Sequence, residues 1–181
     1  MKNKRVFACD FETTVFEGQT FTECWSCAFA ELYSNNKAIF GNISDFFDYF
    51  FNLRENVILY FHNLKFDGSF IIDWLLSHTN IRQSIAYKSE NLEKIVFNEK
   101  KNMRNNEFIY LIDERGGWYS ITIKKNNVFI TIREHSFKIP PIRPLIQVIR
   151  NSLHSMTLRV LGNMPMTIQR IWMSPLYGNV E

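Results

Sequence analysis

The alternation of apolar and polar positions in the first half of the chain predicts strands interrupted by two helices. Short β-branched and aromatic runs indicate strands near 4–10, 24–33, 37–41 and 57–61. Apolar residues at helical spacing indicate helices near 43–53 and 69–78, the second after a polar break at 63–68. This order of elements predicts an α/β fold, with a mixed sheet flanked by helices.

The second half of the chain begins with a polar stretch and then shows three further strand patterns. These lie near 107–113, 117–123 and 128–132. Gly116-Gly117 and Asn126-Asn127 stand between them and are typical turn residues. We expect these strands to form a β-ribbon added beside the main sheet.

The composition changes abruptly after Arg133. All five prolines lie in the last 48 residues, which contain no Asp, and five basic against two acidic residues there account for the net charge of +3. We therefore divide the chain into a domain at 1–133 and an irregular, atypical tail at 134–181. The tail is either a basic arm that binds DNA or a proline-containing extension that forms no core.

Composition otherwise indicates a packed domain with an aromatic interior. Hydrophobic residues make up 46% of the 181 residues, and 17 of the residues are Phe. No run approaches the roughly 18 apolar residues of a membrane span, and the N-terminus lacks the apolar segment of a signal peptide. We expect a cytoplasmic protein.

Two of the three cysteines, Cys24 and Cys27, form a C-x-x-C pair. Such a pair can be a redox centre or half of a zinc site, but the chain has no second pair to complete four ligands. Buried, reduced thiols are the interpretation that the sequence favours.

A pair of acids near the N-terminus is the first candidate for chemistry. Asp10 and Glu12 lie two apart in an apolar run, so on a strand they share a face while Phe11 points to the core. Two adjacent carboxylates repel each other unless a cation neutralises them, and hard oxygen ligands suit Mg²⁺ or Mn²⁺. The alternative is a solvated strand face.

Asp67 is the second candidate. It lies after a buried strand and near a helix start, where functional residues tend to gather. Its alternative role is that of a helix N-cap.

Two segments together carry a family resemblance. Asp-Phe-Glu-Thr-Thr at 10–14 and Tyr-Phe-His-Asn-Leu-Lys-Phe-Asp-Gly at 60–68 resemble the first two exonuclease motifs of protein-primed family B DNA polymerases. These are replicases of phi29-like phages and linear plasmids. The resemblance implies a 3′–5′ proofreading exonuclease with an RNase H-like (DnaQ-like) fold, over roughly residues 4–138. It also implies a terminal protein as partner of the parent polymerase and a bacterial host.

The resemblance further implies roles for individual residues. Asp10, Glu12 and Asp67 would be catalytic and would hold two metal ions, Mg²⁺ or Mn²⁺. The 3′ end of single-stranded DNA would be contacted by Thr13, Tyr60, His62, Asn63, Phe66, Phe70 and Ser136. Stacking on aromatic rings suits a substrate of any sequence, although one of the two phenylalanines is expected to pack in the core instead.

The third exonuclease motif of the family, Tyr-x-x-x-Asp, is absent, and so are the polymerase motifs. We expect weak metal binding and impaired nuclease activity, and no polymerisation by this chain. One hypothesis covers both the missing motif and the unusual tail: residues after Arg133 are translated out of frame. Codons for 137–142, shifted by one nucleotide, can encode Leu-Lys-Phe-Leu-Pro-Phe, which is similar to the family's continuation.

Three classes of function remain open at this point. The chain is the exonuclease portion of a protein-primed polymerase, a non-catalytic remnant that binds single-stranded DNA or terminal protein, or a stand-alone exonuclease with an unrelated tail.

Overall fold

The computed structural model describes residues 4–14, 19–88, 95–112, 118–134, 144–145 and 147–152. Its helices are α1 (Ile43–Asn52) and α2 (Leu64–Ser77), with a short 3-10 turn at Lys100–Asn102. The strands are β1 (Arg5–Thr13), β2 (Cys24–Glu31), β3 (Lys37–Phe40), β4 (Val57–Phe61), β5 (Arg82–Gln83), β6 (Ile85–Lys88), β7 (Ile95–Phe97), β8 (Glu107–Ile112), β9 (Trp118–Lys125) and β10 (Val128–Glu134). None of the helices in these ranges has the length and apolar character needed to cross a membrane.

One mixed sheet organises the described residues, with strand order β3-β2-β1-β4-β10-β9-β8-β5. At its centre β4 runs parallel to both β1 and β10. On the outer sides of this trio, β2 and β9 run antiparallel to β1 and β10 respectively. The carboxyl ends of β1, β4 and β10 therefore meet at one edge of the sheet. The predicted mixed sheet with flanking helices is confirmed.

Aromatic side chains fill the space between this sheet and helices α1 and α2. Helix α1 contributes four buried phenylalanines to the cluster that also contains Phe7 and Phe11 of β1: Phe46, Phe47, Phe50 and Phe51. The ring of Phe47 also stacks on Trp74 of α2, with ring centroids 4.7 Å apart. The aromatic interior expected from composition is present, and it fixes both helices on one face.

The opposite face of the sheet is covered by part of the tail. Residues 144–145 and 147–152 are helical, and we call them the tail helix. Its Ile149 is buried against Ala8, Ala28 and Ala30, whose small side chains let a helix approach the sheet closely. The described part of the tail thus differs from the irregular segment that we expected. Apolar residues four apart, Leu145 and Ile149, explain the difference because they give this helix a face to bury.

The three strands that we expected to form a ribbon beside the sheet are part of the main sheet. β8, β9 and β10 are close to the predicted positions, but they extend the main sheet, because β10 pairs with β4 through Val57 and its neighbours. A separate two-stranded ribbon does exist, formed by β6 and β7 within the polar stretch, where the sequence analysis had identified no strand. Ribbon and sheet extension look alike in sequence, since both are alternating strands joined by tight turns.

Candidate active site

The alternation of β1 delivers two acids to the carboxyl edge of the sheet. Phe11 packs in the aromatic core, so Asp10 and Glu12, on either side of it, project to the other face. The face assignment expected from the sequence is therefore correct. Asp10 is buried and Glu12 is partly exposed.

Asp67 reaches the same edge from helix α2. The helix begins at Leu64, five residues earlier than the predicted start at 69, so Asp67 lies inside the first turn and does not cap it. The N-cap is Asn63, whose backbone carbonyl accepts hydrogen bonds from the N–H groups of Phe66 and Asp67, each at 3.0 Å. Polar residues and Gly68 in this turn interrupt the apolar periodicity, which explains why the sequence predicted too late a start for the helix.

The three predicted acids line one cavity of about 470 Å³. Its other lining residues are Phe11, Asn63, Phe66, Arg150 and Asn151. Arg150 comes from the tail helix, and its Nε donates a hydrogen bond of 3.0 Å to Oδ2 of Asp10. A positive side chain thus stands among the acids.

Burial raises the pKa of two of these carboxyl groups, Asp10 and Asp67. The pKa of Asp67 is raised to about 8, first by burial and then by the negative charge of Asp10, against the opposing influence of Arg150. Its Oδ2 is buried and has no hydrogen-bond partner. Burial also raises the pKa of Asp10, while Arg150 and His62 act in the opposite direction. Such a pair of carboxyl groups attracts a cation or retains a proton.

A further acid that the sequence analysis assigned to the tail lies close by. Glu134 is the last residue of β10, opposite Phe61 in the ladder, and its Oε2 accepts a 2.6 Å hydrogen bond from the N–H of Leu64. It satisfies a free N–H at the start of α2 and adds to the raised pKa of Asp67. Its position follows from the parallel pairing of β10 with β4, which the sequence alone did not indicate.

No ready-made metal site is formed by these groups. Within the part of the chain that the structure describes, no three His, Cys, Asp or Glu side chains are grouped closely enough to hold a metal ion. The carboxyl groups nevertheless fit a divalent cation by chemistry, because Asp67 presents a buried oxygen without a partner.

Three of the residues expected to contact DNA lie near the acids, and a fourth contacts one of these three. Asn63 and Phe66 line the cavity, and the ring of Phe66 is 44% exposed. Phe70 makes an edge contact with Phe66, at 5.2 Å between centroids, and packs partly against the core. His62 is exposed and close enough to influence the pKa of Asp10.

Of the other three residues expected to contact DNA, two do not line this cavity and the third is not described by the structure. Tyr60 is half-buried beside the alanine cluster under the tail helix, and Thr13 pairs with Cys24 in the ladder between β1 and β2. Ser136 lies outside the described residues.

Arg150 and Asn151 were missed by the sequence analysis. The only signal for them is the spacing of Leu145 and Ile149, which indicates one buried helix face but not the surface on which it docks.

Comparison with known proteins gives a consistent set of matches to phage DNA polymerases. The DNA polymerase of Bacillus phage Nf is 30% identical over 124 residues, which is 67% of this chain and 18% of the relative. The DNA polymerase of Streptococcus phage Cp-1 is 26% identical in an alignment of 189 positions that covers 96% of this chain and 28% of the relative. The chain thus spans less than a third of the relatives' length. No protein-family model matches.

Solved structures show the same fold. The phi29 DNA polymerase complexed with single-stranded DNA matches with a TM-score of 0.52 and 22% identity, over 73% of this chain and 21% of that one.

Proposed function

Since the chain is homologous to the N-terminal region of the phi29-like phage DNA polymerases, we propose that it carries the 3′–5′ exonuclease site of such a polymerase. The substrate is the 3′ end of single-stranded DNA, the fold is RNase H-like, and the parent polymerase uses a terminal protein as primer. The observation that carries this proposal is the convergence of Asp10, Glu12 and Asp67 on one cavity.

The acids would hold one or two divalent cations, Mg²⁺ or Mn²⁺. Bound there, such ions would lower the pKa of an attacking water and stabilise the leaving 3′ oxygen. The role of Asp67 and Asp10 is to present carboxylate oxygens at fixed positions in a partly buried cavity. The unpaired oxygen of Asp67 and its pKa of about 8 support this role, because both conditions are relieved by a cation.

The other residues of the cavity would position the DNA strand. The exposed ring of Phe66 offers a face on which a base of any identity can stack. The side-chain amide of Asn63, which makes no capping hydrogen bond to α2, can donate to a phosphate or sugar without reading the base.

Arg150 and the missing third motif together favour impaired activity. The guanidinium of Arg150 already neutralises Asp10, so a metal ion must displace it or bind with fewer carboxylate ligands. No Tyr-x-x-x-Asp segment occurs in the chain to supply the further carboxylate of the family pattern. We therefore expect cleavage slower than that of a complete proofreading domain.

The test is cleavage of a 5′-labelled single-stranded oligonucleotide in Mg²⁺ or Mn²⁺ by the purified chain and by D10N and D67N. We expect each substitution to reduce the cleavage rate by at least about 100-fold, because each removes a metal-holding charge. Binding of the same oligonucleotide in EDTA should be retained. D73N is the matched control, since Asp73 is an exposed acid of the same helix.

A different outcome would favour the non-catalytic alternative. If the unaltered chain cleaves no faster than D10N, while D10N and D67N bind DNA as well or more tightly, the chain is a binding remnant. Arg150 on Asp10 is the observation that speaks for this alternative.

A further inference from the structure

Cys24 and Cys27 lie against each other on strand β2. Their sulfur atoms are 3.6 Å apart and share a hydrogen bond. Residues three apart on a regular strand face opposite sides, but here Thr13 pairs with Cys24 while Glu12 pairs with Ser26. Trp25 is thus an extra residue in the ladder, a β-bulge that turns both cysteine side chains to one side.

The two thiols differ in access to solvent. Cys24 is partly exposed and lines a cavity of about 690 Å³ between β2 and the two helices. Cys27 is fully buried in the aromatic core. A small reagent that enters the cavity therefore reaches Cys24, and only Cys24 can pass the modification to Cys27.

From this geometry we propose that Cys24 and Cys27 form a redox pair, which closes to an intramolecular disulfide when the chain meets a small-molecule disulfide. The sulfur atoms need to approach by about 1.5 Å, since an S–S bond is about 2.05 Å long. The inference is independent of the proposed nuclease function.

The reaction proceeds by two thiol–disulfide exchanges. The thiolate of Cys24 attacks the reagent RSSR, forms a mixed disulfide and releases one RS⁻, which takes up the proton lost by Cys24. The thiolate of Cys27 then attacks the sulfur of Cys24 and releases the second RS⁻, again protonated to RSH. Two protein thiols are oxidised and one RSSR is reduced to two RSH.

The second exchange should be the slow one. Burial and the hydrogen bond with Cys24 raise the pKa of Cys27, so little thiolate is available there at neutral pH. The mixed disulfide at Cys24 should therefore accumulate first and then disappear, and its disappearance should accelerate as pH rises.

The experiment is treatment of the folded, full chain with oxidised glutathione, followed by thiol titration and peptide mass mapping without reduction. We expect free thiols to fall from three to one per chain, with Cys24 linked to Cys27 and Cys9 still free. C9A should behave in the same way, and C27A should stop at a mixed disulfide on Cys24. C24A should keep both of its thiols.

Two results would overturn the proposal. One is retention of three free thiols in the folded wild-type chain while a denatured sample is oxidised. The other is a disulfide that joins Cys9, or two chains, in place of the Cys24–Cys27 link. Mapping the wild-type chain decides the matter even if a variant fails to fold.

Discussion

Asp67 combines deep burial, a negative neighbour and an oxygen without a hydrogen bond. Its pKa is about 8 in the folded chain, against about 3.9 for an unfolded aspartate. Between these two pH values the unfolded chain releases the proton and the folded chain keeps it. The free energy of unfolding therefore falls as pH rises from about 4 to 8.

D67N removes the cost of ionising a buried carboxyl group, so it should stabilise the metal-free chain. We expect the free energy of unfolding to rise by up to about 5 kcal/mol at pH 8, with the gain declining toward zero near pH 4. Urea unfolding in EDTA at several pH values measures it. Added Mn²⁺ should stabilise the wild-type chain more than D67N. If D67N is no more stable than the wild type at pH 8, the pKa of Asp67 is not raised in the folded chain.

For individual residues, the sequence predicts side-chain position well where the alternation of a single strand determines which face the residue lies on. The i, i+2 spacing of Asp10 and Glu12 was enough to place both acids on one face. Arg150 and Glu134 were not predictable, because their positions depend on which strand β10 joins and where the tail helix docks. The pattern of apolar residues indicates neither the strand that β10 pairs with nor the surface on which the tail helix packs.

Among the secondary-structure elements, α1 depends on a well-defined N-terminal cap. Oδ1 of Asn42 accepts a 2.8 Å hydrogen bond from the N–H of Asp45, and Nδ2 of Asn42 donates one of 2.8 Å to the carboxylate of Asp45. The cap matters for the whole core, because α1 carries four of its buried phenylalanines.

N42A should destabilise the protein by about 1 kcal/mol, since it leaves the N–H of Asp45 without its partner. N52A is the control, because Asn52 is an exposed residue at the other end of the same helix. Its effect should remain within about 0.5 kcal/mol. Chemical denaturation of both variants makes the comparison, and equal stabilities would contradict a role for the cap.

The bounds of α1 were predicted more accurately than those of α2, and the residues of the two helices show why. For α1 the expected range of 43–53 is within one residue of Ile43–Asn52, because four phenylalanines at helical spacing follow a capping residue. For α2 the first turn contains Asn63, Lys65 and Gly68, residues that also occur in loops. Packing on β9 and β10 makes this turn helical, and that contact is invisible in the sequence.

For the molecule as a whole, the tail helix covers the face of the sheet opposite α1 and α2. Ile149 fills the shallow surface formed by Ala8, Ala28 and Ala30, and Arg150 pairs with Asp10. The match to the Cp-1 polymerase covers 96% of this chain and so takes in most of the tail. The out-of-frame hypothesis stays a prediction, which the nucleotide sequence after the Arg133 codon tests in all three frames.

I149A tests the packing directly. The substitution should lower the free energy of unfolding by about 2 kcal/mol, because Ile149 is buried and its truncation opens a cavity on the alanine surface. V148A is the matched control, since Val148 is 45% exposed on the same helix. Thermal or urea unfolding distinguishes the two. Equal, negligible effects would mean that the tail helix does not pack on the sheet.

The parallel pairing of β4 with both β1 and β10 also sets the order in which the protein can mature during synthesis. β4 gains its second neighbour only when residues more than 70 positions later have been made. Until then the N-terminus of α2 lacks the carboxylate of Glu134, and one side of β4 is an unpaired edge. On the ribosome, the acidic cavity should therefore lack the support of Glu134 until β10 emerges, and it should lack Arg150 until the tail helix follows. The nascent chain should be most prone to self-association while β4 still has an unpaired edge.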